Sequence, residues 1–261
     1  MKKLFRKKTL QAWLWVAALL LTWELAARLE LVNSYILPAF SNVARRFFRE
    51  FFIGNLGLQT LNSLFIILLG FLLSFALAVF ITLISAWLSP AESLFHVLST
   101  IFSPLPSVAI MPLVIMWFGI RTGAMVVLIV HGVLWALVRH MLDGLKSTPL
   151  AFKEWGKNIG LSPWQMFSGI LIFAMMPEFL AGVRIGWGRA WRALISAEMV
   201  FGMIGSLGGV GFYININRSF ANITNMMVGV IVISLIGILM ESIIFTQLEK
   251  HTVKKWGMSR E

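Results

Sequence analysis

The chain offers little to a hydrolase, a redox enzyme or a metal centre. His96, His131, His140 and His251 are scattered, and none falls in an HExxH frame, which would put two imidazoles on one helical face. Ser206 lies among glycines but lacks the GxSxG frame of a nucleophile elbow. Cysteine is absent, so disulfides, thiol catalysis and thiolate ligands are excluded. Asp143 is the single aspartate and no GK[ST] phosphate loop accompanies it, so nucleotide hydrolysis has no machinery in this chain. No catalytic residue, metal ligand or bound cofactor is predicted. The residues that stand out are Arg184, Arg189 and Arg192, set with Glu178 and Glu198 in an otherwise apolar segment. An arginine at the centre of a membrane-spanning helix costs about 2.5 to 3.5 kcal/mol. Each therefore needs water, a headgroup or a partner, either one of those glutamates or a group on a neighbouring helix. A polar path for an anionic solute is the functional alternative.

The elements that must position these residues are membrane spans. Hydrophobic residues make up 59% of the 261 and charged residues only 13%, where soluble domains carry roughly 25%. The net charge is +11, but the basic residues flank uncharged runs instead of gathering on one polar face, so no nucleic-acid partner is expected. No Asp, Glu, Lys or Arg occurs from Phe51 to Ala91, from Ser93 to Ile120, from Met199 to Asn217 or from Ser219 to Met240. Each run can hold a span of about 20 residues in the lipid bilayer. Lipid supplies no hydrogen-bond partners, and these runs lack the alternation of barrel strands, so the spans are helices. Six are predicted: Leu10 to Ala27, Thr60 to Leu88, Leu94 to Phe118, Gly123 to Leu142, Phe173 to Ala197 and Met226 to Thr246. The fold class is an all-α integral membrane protein, with residues 1–261 as one transmembrane domain.

Lys and Arg concentrate on cytoplasmic loops. With the N-terminus inside, the inner set runs from Lys2 and Lys3 through Arg139, Lys146, Lys153 and Lys157 to Arg260, against Arg28, Arg45, Arg46, Arg49, Arg121 and Arg218 outside. Both termini are therefore placed in the cytoplasm. Arg45, Arg46 and Arg49 run against the rule, but Ser41 to Phe52 reads as an amphipathic helix able to lie on the outer surface. The basic start followed by an apolar stretch also resembles a secretory signal, yet the stretch continues past Glu24 with no small-residue cleavage site.

Gly70, Ser74 and Ala78 recur every fourth residue, as do Gly182, Gly186 and Ala190, a spacing that lets helix backbones approach closely within one subunit or between two. Pro104, Pro106 and Pro112 each lack an amide proton and predict a kinked or opened third helix, a candidate lining for a pathway. Gly202, Gly205, Gly208, Gly209 and Gly211 make a glycine-rich stretch before the last span, read as a flexible or re-entrant outer loop. Between the fourth and fifth spans, about 146–172, Thr148-Pro149 and Ser162-Pro163 each read as a helix cap and first position. They predict two short helices that meet near Gly160. The first carries Phe152, Trp155 and Ile159 at helical spacing with Lys153, Glu154 and Lys157 between them.

Glu154-Trp155-Gly156, then Gly160, then Ile170 resembles the EAA loop of binding-protein-dependent ABC importer permeases: a glutamate-alanine-alanine start, a glycine six residues after the glutamate and an apolar residue ten further on. Trp155 and Gly156 replace the two alanines; Phe173 stands where that family usually has proline, and Pro177 matches a second proline. Leu37-Pro38, Pro104-Leu105-Pro106 through Trp117-Phe118-Gly119, Gly182-Val183-Arg184 through Gly188-Arg189-Ala190-Trp191 to Ala197-Glu198-Met199, and Leu248-Glu249 through Trp256 are similar to the nitrate, sulfonate and taurine branch.

The resemblance implies a type I ABC importer (MetI-like) permease in a bacterial cell membrane. Two permease copies, expected to be a homodimer, would enclose the path, and a dimer of cytoplasmic ABC ATPases, holding ATP and magnesium, would dock on them. An extracytoplasmic solute-binding protein would deliver the cargo. Phe152, Glu154, Trp155, Gly156, Gly160, Ser162 and Ile170 would form the coupling loop. Pro104, Pro106, Pro112, Arg184, Arg189, Arg192 and Glu198 are candidates for the path, which the arginines tilt toward an oxyanion such as an organic sulfonate or nitrate. A pyrimidine-precursor importer of the same class is the alternative on solute. A secondary transporter is a rival, though the six spans show no internal repeat.

Overall fold

The computed structural model describes residues 2–252 and residue 255, with side chains from Gln11 onward except those of Lys153 and Pro163. Trp256, which ends the last motif, and Lys254 and Arg260 of the inner basic set lie outside the described residues. Every regular element among them is helical: α1 (Lys2–Arg28), α2 (Phe40–Phe52), α3 (Leu56–Trp87), α4 (Ser89–Phe102), α5 (Ser107–Phe118), α6 (Thr122–Ser147), α7 (Leu150–Asn158), α8 (Pro163–Met166), a π-helical turn (Phe167–Leu171), α9 (Ile172–Ala174), α10 (Met176–Phe201), α11 (Val210–Ser219), α12 (Ile223–Leu239), a second π-helical turn (Met240–Phe245) and α13 (Thr246–His251).

Among the described residues, three helices are long and apolar enough to cross a membrane: Leu56–Trp87, Thr122–Ser147 and the continuous Ile223–His251. Two bent pairs, Ser89–Phe102 with Ser107–Phe118 and Trp164–Ala174 with Met176–Phe201, bring the number to five if each pair is one span. The third predicted span is thus not one kinked helix. It breaks by 101° between α4 and α5, because Pro104 and Pro106 fall within one helical turn and remove two amide donors that a continuous helix needs. Pro112 sits inside α5 without ending it. The fifth span likewise begins after a 66° bend at Met175, where the prediction had a straight start at Phe173.

Helix α6 is the central post, packed against α3 on one side and α10 on the other. Leu128, Ile129, Val133 and Leu137 are fully buried in that seam, as are Ile67 and Leu194. The small residues set its spacing. A methyl on Gly70 would stand 2.6 Å from Ile129, one on Gly182 2.8 Å from His140, and one on Gly186 3.2 Å from Val133. Ala190 is fully buried in the same core. These glycines therefore seat helices of a single subunit, where dispersion and not hydrophobic exclusion drives packing in lipid.

The amphipathic α2 forms as its pattern predicts. Val43 is fully buried, and Phe47 and Phe51 pack against the core. Trp23 Nε1 donates to Pro38 O at 3.0 Å, and Glu24 accepts from Ser41 N and Oγ at 2.9 and 2.8 Å, which ties the end of α1 to the start of α2.

Candidate functional site

The break between α4 and α5 opens a cavity of about 550 Å³, lined by Ser103, Pro104, Pro106, Trp191, Arg192 and Ser196 among others. Arg189 lies on its wall and donates from Nη1 to the carbonyl oxygen and the hydroxyl of Ser103, at 3.1 and 3.0 Å. The 101° break ends the helical ladder at this carbonyl, and the guanidinium serves as its donor. Arg192 has no hydrogen-bond or ion-pair partner among the described residues, and neither arginine meets a carboxylate there. Trp191 is 7% exposed and its indole N–H is buried without a partner. Donors and positive charge thus converge on the cavity with no negative group to balance them. Pro112 is not among its lining residues.

Arg184 belongs elsewhere. It faces Glu241 at 3.3 Å and Glu249 at 3.4 Å, with its guanidinium 5.8 Å from the Phe245 ring centroid. The π-helical turn at Met240–Phe245 carries one of these carboxylates toward α10. The glutamates of α10 itself are engaged differently: Glu178 Oε2 lies 3.1 Å from His140 Nδ1, and Glu198 meets no arginine.

Glu198 is 1% exposed and forms the centre of a polar knot. Ser63 Oγ donates to Oε1 at 2.7 Å and Gly211 N to Oε2 at 2.8 Å, while Val210 N donates to Ser63 Oγ at 3.0 Å. The carboxylate and the Ser63 hydroxyl thus satisfy one free amide each at the start of α11. Two further side chains of α3 hold the glycine stretch: Gln59 Nε2 donates to Leu207 O at 3.0 Å and Asn62 Nδ2 to Gly208 O at 2.8 Å. The stretch, read from sequence as a flexible or re-entrant loop, is tied down by these contacts. Gly209 has no room for a side chain, since a methyl there would overlap the Glu198 carboxylate. Gln59, Asn62 and Ser63 were missed by motif reasoning. Their signal was three polar residues at helical spacing heading an otherwise apolar helix.

The loop between α6 and α10 folds as two short helices around a left-handed residue. Gly160 has φ +74°, a region that L side chains avoid. Gly160 N donates to Lys157 O and Leu161 N to Gly156 O, both at 3.0 Å, the double bond of a Schellman C-cap. At the start of α8, Ser162 N donates to Gln165 Oε1 at 2.9 Å and Gln165 N to Ser162 Oγ at 3.3 Å, a reciprocal capping box. The first helix starts otherwise than expected. Thr148 Oγ1 donates back to Gly144 O within α6, and Pro149, not Thr148, stands at the N-cap of α7.

The two short helices interlock at Gly156, where a methyl would overlap Met166 and stand 3.1 Å from Ile170 Cδ1. This is the physical reason for glycine at a position where the resembling pattern has alanine. Phe152 and Trp155 border a shallow apolar hollow with Ile170 and Phe173, and Glu154 lines a second one with Lys146, Lys157 and several leucines. Phe152, Trp155 and Trp164 remain exposed, at 48, 59 and 60%. Large aromatics on the outside of a loop this well capped form a surface that no described residue covers.

Comparison with known proteins places this geometry. Residues 78–254 match the family described as binding-protein-dependent transport system inner membrane component. A Bacillus subtilis protein named as a proposed aliphatic sulfonates transport permease is 26% identical over 94% of this chain and 87% of its own length. The taurine transport system permease protein of Escherichia coli is 26% identical over 87% of this chain and 82% of its own. A Methanocaldococcus jannaschii protein named as a proposed ABC transporter permease is 28% identical over 84% of this chain and 82% of its own. The family match spans the central post, the capped loop and Glu198 with the glycine stretch, and the chain belongs to the family of inner membrane components of binding-protein-dependent transport systems, a permease and not a catalytic subunit.

Proposed function

We propose that this chain is the permease subunit of an ABC importer and crosses the cell membrane six times, with α1 as the first span and both termini in the cytoplasm. Two copies enclose the path, and each presents its α7–α8 loop to a cytoplasmic ATPase. The observation that carries this reading is the loop itself: Phe152 and Trp155 exposed beside an apolar hollow, on helices locked together at Gly156 and turned at Gly160. Such aromatic anchors supply most of the binding energy where two proteins meet. ATP binding would draw the two ATPases together and carry the loops with them, opening the path to the solute-binding protein outside.

The solute in this reading is a small anion such as an organic sulfonate or nitrate. Arg189 and Arg192, in a cavity without a carboxylate, support it, as do relatives named for sulfonates and taurine. Pro104 and Pro106 line the path where they open the helix, whereas Arg184, held by Glu241 and Glu249, braces the last helix.

Co-purification of the tagged chain from its native membrane tests the assignment. An ATPase recovered in equal amount, and lost when Glu154 to Gly160 is scrambled, is the expected result. A chain recovered alone that moves solute in proteoliposomes without ATP would overturn it in favour of a secondary transporter. Gly160→Val should leave membrane insertion intact and uncouple ATP hydrolysis from transport; unchanged transport would remove Gly160 from the coupling role.

A further inference from the structure

Three arginines on α2 oppose the charge bias that orients the rest of the chain, and the structure divides them into two kinds. Arg46 turns inward: its Nε donates to Asn225 Oδ1 at 2.7 Å and lies 3.2 Å from Glu50. Arg45 and Arg49 turn outward, exposed, and their guanidinium groups have no hydrogen-bond or ion-pair partner among the described residues. They stand one helical turn apart, so their guanidinium groups share a face. That face also carries Phe48, Phe52 and Ile53, which are 61, 72 and 83% exposed, the two rings stacked at 6.2 Å. Arg45, Arg49, Phe48 and Phe52 border a cleft of about 730 Å³ that Asn222 and Thr224 also line.

We propose that this cleft binds an anionic phospholipid, with the phosphodiester between Arg45 and Arg49 and the start of the acyl chains against Phe48, Phe52 and Ile53. The chemistry is specific to a molecule charged at one end and apolar at the other. A guanidinium pair matches phosphate oxygens by forked hydrogen bonds. Aromatic and aliphatic side chains on the same face match acyl carbon, as on helices that lie in the plane of a bilayer surface. An acidic protein surface would pair with the arginines but leave two phenylalanines and an isoleucine against polar groups. The helix is rigid enough to hold such a site: Val43 is fully buried beneath it, and Arg46 and the Glu24–Ser41 contacts fasten it at the middle and the start. The site also accounts for positive charge on the side where the orientation rule disfavours it, since lipid phosphate neutralises it there. It is independent of the solute and the coupling loop.

Native mass spectrometry of the full-length chain, with any ATPase that accompanies it, titrated with dioleoylphosphatidylglycerol, tests the proposal. Expected is retained lipid whose affinity falls about tenfold or more in Arg45→Gln/Arg49→Gln, from near-surface cations each worth about 1 kcal/mol. Arg45→Lys/Arg49→Lys should keep most of it, and millimolar inorganic phosphate should not displace the lipid. Lipid held equally by the glutamine variant, or displaced by inorganic phosphate, would overturn the proposal. So would lipid binding that is unchanged while the solute-binding protein no longer associates, which would assign the arginines to an acidic protein surface. Should the variants fail to fold, a nitroxide on Asn42→Cys in the otherwise cysteine-free chain reads the same face in phosphatidylglycerol vesicles with both arginines present. Accessibility to oxygen above that to a water-soluble nickel chelate is expected, and water-like accessibility would overturn the site.

Discussion

The two ends of α10 are built in opposite ways. At its C-terminal end Glu198 is 1% exposed and both carboxylate oxygens are occupied, by Ser63 and by the Gly211 amide. At its N-terminal end the chain bends by 66° and enters a loop whose Trp155 and Trp164 are 59 and 60% exposed. One end is complete within the subunit: removing any member of the knot orphans a buried group. The other is locally complete, with both helices capped, but its aromatic face has no cover. A buried polar network costs heavily when partly satisfied, so it belongs where the structure must not depend on a partner. An exposed aromatic patch costs little until a second protein arrives, so it belongs where binding must be reversible.

Substitutions can break this contrast or sharpen it. Glu198→Ala should have the largest effect on stability. It orphans a buried hydroxyl and a helix-opening amide, at about 1 to 3 kcal/mol for each group left unsatisfied, and should lower the thermal midpoint in detergent; an unchanged midpoint would show that the knot is not needed. Gly209→Ala should follow at about 1 to 3 kcal/mol, because its methyl must displace the Glu198 carboxylate. Its loss of stability should not add to that of Glu198→Ala, and a double-mutant cycle reads this directly. At the other end Ser162→Ala removes one arm of the capping box and should cost about 1 kcal/mol, visible as faster proteolysis of the loop. Trp155→Ala should shift the midpoint least, by about 0.5 kcal/mol or less, yet weaken ATPase co-purification about tenfold or more, as loss of an interface anchor does. A Trp155→Ala protein that unfolds as readily as Glu198→Ala would erase the distinction.

Three spans, or five with each bent pair taken as one, were legible because lipid enforces a simple rule: an uncharged run of sufficient length must satisfy its own backbone. Pro104 and Pro106 marked the broken helix, but the 101° angle depends on what fills the gap, and Arg189 reaching the Ser103 carbonyl is a contact across 86 positions. Gly160 could be read from its spacing, since a left-handed residue between two capped helices requires glycine. Gly156 could not, because the need for glycine arises only when Met166 and Ile170 fold back over it. Glu198 stood out as a charge in an apolar segment, yet its partner Ser63 is 135 positions away and an isolated serine carries no signal. The three arginines looked alike in sequence, and only tertiary contacts separate Arg184, paired with Glu241 and Glu249, from Arg189 and Arg192 beside the cavity.

The contact of Gly156 with Met166 and Ile170 gives the loop the mechanics of a rod and not of a spring. With no side chain between them, the short helices are in direct contact, and in the coupling role proposed above a push at Trp155 would pass to α9 through that contact. Compliance is left to the extended Thr148-Pro149 link on one side and the bend at Met175 on the other. A body stiff in the middle and hinged at both ends converts a small displacement at its tip into rotation of the helices it joins.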